Sequence, residues 1–72
     1  MITQIWAHVP SGERFAVAVD SYGVIMGAMG PLHHSEIEPA KAGNWDADQE
    51  VTEDIKNDSD NYRGVTNRPP EA

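Results

Sequence analysis

A chain of 72 residues without a single cysteine can form one small domain at most, and neither a disulfide nor a thiolate metal site can reinforce it. At this length only about 60% of the surface exposed by the unfolded chain is buried on folding, which leaves a marginal core unless a partner completes it. The net charge of −7 is uneven, with ten acids against four bases after residue 34; it excludes a phosphate-binding face, so no nucleic acid is expected as a partner, and it weighs equally against an anionic membrane surface.

Ile2 to Val9 (ITQIWAHV) reads as a first strand. Its better core face carries Thr3, Ile5, Ala7 and Val9, and the other carries Ile2, Gln4, Trp6 and His8. Pro10 ends the strand because it has no N–H for the ladder, and Ser11 to Arg14 return the chain. The N-terminal stretch has no basic start and no long apolar run, and no apolar run approaches the roughly 20 residues of a membrane span. A cytoplasmic protein is therefore expected.

Phe15 to Met29 (FAVAVDSYGVIMGAM) holds the densest apolar sequence, interrupted once by the turn-forming Asp20-Ser21-Tyr22-Gly23. Two apolar runs around such a loop predict a β-hairpin. Phe15, Val17 and Val19 share one side of the second strand, and Ala16 and Ala18 share the other. Neither this strand nor the third, Val24 to Met29, alternates apolar with polar, so both faces of the sheet should be covered. The small alanines predict close approach of another element on their side. Gly30-Pro31 is expected to close the meander.

Ser35 and Glu38 are spaced as a capping box, with Pro39 limiting any helix up to Gly43 to a turn or two; a non-regular connector fits as well. Asn44 to Asn57 predicts the one longer helix, with Asp46 as its cap and Ala47, Val51 and Ile55 as a narrow apolar stripe. The same residues allow a strand, but Gln, Glu, Asp and Lys are disfavoured in sheets. From Asp58 onward the chain is polar, and Pro69-Pro70 adds to the expectation of a disordered tail.

The expected fold class is therefore α+β, mainly β. A three-stranded antiparallel meander and one short acidic helix fill a single domain over residues 1–57, with a flexible polar tail over 58–72. Two open sheet edges and a thin core favour a homodimer.

Candidate chemistry is sparse. His8, His33 and His34 are the only imidazoles, and with Glu36 they are the candidate ligands for a transition metal. Asp46, Asp48 and Glu50 match the first positions of a calcium loop, but Val51 stands where glycine is required and Asn57 where a bidentate glutamate belongs. No serine has a base and an orienting group at a recognisable spacing, so no catalytic residue, metal or cofactor is expected. The candidate interaction residues are the aromatics Trp6, Tyr22 and Trp45 and the acids Asp46, Asp48, Glu50, Glu53 and Asp54. Trp6 and Trp45 have a competing role, packing on each other across the sheet.

The leading expectation is a non-catalytic protein-interaction or regulatory module, binding through the sheet or through the acidic segment. One alternative is an acidic mimic of nucleic-acid phosphates that occupies a basic protein site; another is a small metal-dependent enzyme using His33, His34 and Glu36.

Overall fold

Asp20 organises the central hairpin. Its carboxylate accepts the N–H groups of Tyr22 at 2.8 Å and Val24 at 2.9 Å, and its carbonyl accepts that of Gly23 at 3.0 Å. Gly23 closes the turn in the left-handed region, φ 82°. In the computed structural model, which describes residues 2–65, this turn joins the second and third strands. The elements are β1 (Ile2–His8), β2 (Arg14–Val19), β3 (Ile25–Leu32), α1 (Ile37–Lys41), α2 (Gln49–Asn57) and β4 (Tyr62–Gly64). They build one antiparallel sheet in the order β3-β2-β1-β4.

The sheet has four strands where three were expected. Tyr62, Arg63 and Gly64 pair with His8, Ala7 and Trp6, and Val65 N–H donates to Ile5 O at 2.8 Å. The stretch from Asp58 to Val65, read from sequence as part of a tail, thus begins with a 3-10 turn over Ser59–Asn61 and continues as an edge strand. Its anchor is Tyr62, which meets the Phe15 ring edge-on at 5.5 Å and the His8 ring at 4.8 Å. One aromatic docking on a core assembled elsewhere leaves no periodic pattern in the strand itself. The remainder of the expected tail, including Pro69-Pro70, lies outside the described residues.

Both faces of the sheet are covered, by different helices. Phe15, Val17 and Val19 of β2 and Ala28 of β3 form one core with Ile55 of α2, surrounded by Trp6, Ile25, Val51 and Tyr62. On the opposite face Ile5, Ala16 and Leu32 form a second core with Ala40 of α1, flanked by Met29, Ile37 and Trp45. Ala16 is fully buried because its small side chain lets α1 approach the sheet. Trp6 and Trp45 consequently stand on opposite faces and do not pack on each other.

Four local expectations are corrected. β3 does not stop at Gly30-Pro31 but runs on to Leu32, with an irregularity between the Arg14 and Ala16 pairings. Proline is tolerated here because an edge strand at a bulge can spare an N–H. Two helices form instead of one, and the capping box is His33 with Glu36, not Ser35 with Glu38. His33 Nδ1 accepts from Ser35 N–H at 3.3 Å while Glu36 accepts from His33 N–H at 2.7 Å. α2 is capped by Asp48, whose Oδ1 accepts from Glu50 N–H at 2.9 Å and Val51 N–H at 3.2 Å, so Asp46 is left outside the helix.

The start of α2 also blocks the β3 edge. Ala28 turns its N–H and C=O away from β2, and they are taken up by Thr52 Oγ1 at 2.9 Å and Asp48 N–H at 2.8 Å. Gly27 permits this approach, since a Cβ there would lie 3.0 Å from that of Ala47. An edge occupied in this way cannot template another strand at that point.

Candidate functional site

Burial sorts the apolar side chains unevenly. Of the six large apolar residues left exposed among those described, four lie at one end of the sheet: Ile2 (62% exposed), Tyr22 (90%), Val24 (53%) and Met26 (54%). The register explains the grouping. Ile2 pairs with Val19, Val19 pairs with Ile25, and the Asp20–Val24 turn lies between the last two. Met26 is the extra residue where the pairing shifts between Val19–Ile25 and Ala18–Gly27. A bulge of this kind re-aims a side chain, and here it leaves an apolar one in solvent.

Beside this cluster a recess of about 300 Å³ opens. Ala18 and Gly27, which pair across β2 and β3, share the face that α1 covers farther along, and here they form part of the recess lining. Trp45, Met26 and Ile2 supply the large side chains around them. Trp45 is fixed by donating its indole N–H to Thr3 Oγ1 at 3.2 Å, and it also lines a second recess, of similar volume, beside Pro39 and Ala40 of α1. The recess exists because α1 has only five residues and covers Ile5 and Ala16 but not Ala18.

The expected interaction residues separate into groups. Tyr22 belongs to the apolar end and Trp45 lines its recess. Trp6 does not: it is half-buried against the α2 core, donating its indole N–H to Gln4 Oε1 at 2.8 Å. Asp46 is exposed between the recess residues Trp45 and Ala47. Asp48 is a helix cap, while Glu50, Glu53 and Asp54 are exposed along α2. The one ion pair among the described residues joins Lys41 to Glu38 at 3.1 Å, so none of these acids is neutralised by a base. Ile2, Val24 and Met26 were missed as site residues, because a hydrophobic strand residue looks like core until the covering element is located. The available signal was a surplus, since β3 carries apolar residues on both sides and the rest of the chain is too short to bury them all.

The histidines have local partners. His8 Nδ1 lies 2.8 Å from Ser11 Oγ, and His33 serves as a cap while its ring lies 5.2 Å from that of His34. No group of three or more His, Cys, Asp or Glu side chains is placed to hold a metal ion among the described residues. No helix among them is long and apolar enough to cross a membrane.

The phenol of Tyr62 is shifted by its surroundings. Burial pushes its phenol above the ordinary value of 10.0, and the negative charges of Asp58, Asp54 and Glu13 push in the same direction. The phenolate is therefore disfavoured in the folded chain, and above that ordinary value the unfolded chain binds fewer protons than the folded one. Stability should fall as pH rises from the ordinary value through the higher folded one. Thermal melts followed from neutral pH into this alkaline range should show the decline, and Tyr62→Phe should flatten it. An unchanged slope in the variant would assign the decline to other groups.

Comparison of the chain with protein-family models, curated proteins and solved structures found no match.

Proposed function

We propose that this chain is a non-catalytic protein-interaction module that works through the apolar end of its sheet. The observation that carries the reading is the exposure of Ile2, Tyr22, Val24 and Met26 at one end of the sheet, where Ile2 and Met26 also line an open recess, while helices cover the two cores farther along. A small domain has few apolar residues to spare, and a contiguous exposed group of them favours a docking role over a structural one. A second copy of the chain is the competing occupant. The homodimer expectation drew on open edges, and the hold of α2 on Ala28 weakens that argument for β3.

The acidic-mimic reading keeps one supporting observation, the exposed and unpaired Glu50, Glu53 and Asp54 on α2. Selection of random peptides displayed on phage against the immobilised protein separates the two. Peptides recovered on the wild type should lose about tenfold or more in affinity on combined Val24→Ser and Met26→Ser, an effect of the size expected when an apolar anchor loses its seat. They should keep their affinity when Glu50, Glu53 and Asp54 are neutralised to amides. The reverse pattern would replace the proposal with the acidic-mimic reading.

A further inference from the structure

Resting on the apolar end as the working surface, we infer that the recess beside Trp45 is an anchor point for one bulky apolar side chain carried on a basic segment of a partner protein. The lining sets the size of the anchor. Ala18 and Gly27 leave depth where larger residues would fill it, and about 300 Å³ is at the small end of binding cavities, enough for a phenylalanine, leucine or methionine side chain. Trp45 gives a flat wall held by Thr3, and Met26 gives an adaptable one.

Charge selects what surrounds the anchor. Asp46 stands between two lining residues, Asp48 and Glu50 follow at the start of α2, and Asp20 lies in the adjoining turn. Among the described residues no free base answers them from this end of the sheet. Lys41 is paired with Glu38, the Arg14 guanidinium donates to Gly12 O at 2.8 Å in the loop at the opposite end, Arg63 lies on the β4 edge and Lys56 in the last turn of α2. A second copy would bring two such acidic rims together in a self-complementary interface, each on a chain of net charge −7, whereas a lysine- or arginine-bearing segment complements the rim.

The probes are three short synthetic peptides: lysines and arginines around a single phenylalanine, the same with alanine at the centre, and the phenylalanine peptide with glutamates in place of the bases. Affinities are read from amide and indole NMR shifts, with the Trp45 indole N–H as the local reporter. The phenylalanine peptide should bind about tenfold or more tightly than the alanine peptide and move the Trp45 signal. The glutamate peptide should not bind. Ala18→Leu, which fills the recess, should abolish the phenylalanine advantage, and Met26→Lys, at an exposed position, tests the same point if Ala18→Leu does not fold. Equal binding of the phenylalanine and alanine peptides, or binding of the glutamate peptide, would overturn the inference. A Trp45 signal already shifted by self-association as protein concentration rises would overturn it in favour of a second copy. Displayed peptides that depend on Val24 and Met26 but ignore Ala18→Leu would overturn the anchor while leaving the proposed working surface in place.

Discussion

Replacing Gly30 by alanine should destabilise the protein by about 2–5 kcal/mol, combining overpacking with a strained backbone. Gly30 has φ 151°, a region that side-chain-bearing residues rarely adopt, and a Cβ there would overlap Cδ2 of Phe15. Phe15 is 7% exposed and packed against Tyr62 and the α2 core, so its ring has little room to retreat. A domain this small has only a few kcal/mol of net stability, so the variant should melt at least about 10 °C lower. Gly23→Ala is the control. It also requires positive φ, 82°, but a Cβ there would meet nothing within 4 Å, so only the backbone cost of about 1 kcal/mol remains. Phe15→Leu combined with Gly30→Ala should cost less than the two separate losses added together, since they share one contact. Equal melting temperatures for Gly30→Ala and Gly23→Ala would show that the Phe15 ring does not set the limit.

Thr52→Val should cost about 1–3 kcal/mol although it preserves shape. The Thr52 hydroxyl accepts from Ala28 N–H at 2.9 Å and donates to Asp48 O at 2.8 Å, and both Thr52 and Ala28 are buried. Valine leaves the Ala28 donor without a partner. The Asp48 carbonyl is less affected, because it still accepts from Thr52 N–H at 2.9 Å. Urea melts give the stability, and amide exchange at Ala28 locates the loss. Thr52→Ser should retain most of the wild-type value because it keeps the oxygen. A valine variant as stable as wild type would show that packing and the Asp48–Ala28 backbone bond hold the β3 edge without the hydroxyl.

These residues also show where sequence reading stops. The stripe Ala47, Val51 and Ile55 allowed a strand as well as a helix, and the charged residues between them favoured helix; Ile55 is fully buried in the core with Val51 beside it, whereas Ala47 lies before α2 and is exposed. Thr52 is polar and falls outside that stripe, yet it is buried because its partner is a strand 24 residues earlier. Asp46 and Asp48 are equivalent as caps by composition; α2 begins where its backbone can meet Ala28 on the β3 edge, which makes Asp48 the cap. Trp6 and Tyr22 looked alike as exposed aromatics. Trp6 packs beside the α2 core, while nothing in the fold covers Tyr22 at the hairpin tip.

Sequence alone determined the acidic balance, the Asp20 turn and the apolar pattern of the first three strands, and it favoured helix over strand for α2 without deciding it, all from residue type and near-neighbour spacing. Tertiary structure decided that Tyr62–Gly64 would become an edge strand, that α2 would close the β3 edge, and that Ile2, Tyr22, Val24 and Met26 would be left in solvent, with Ile2 and Met26 lining a recess shared with Trp45. Each of these outcomes depends on what a distant element reaches or fails to reach. α1, with five residues, covers Ala16 but not Ala18, and that shortfall in length is the physical origin of the recess.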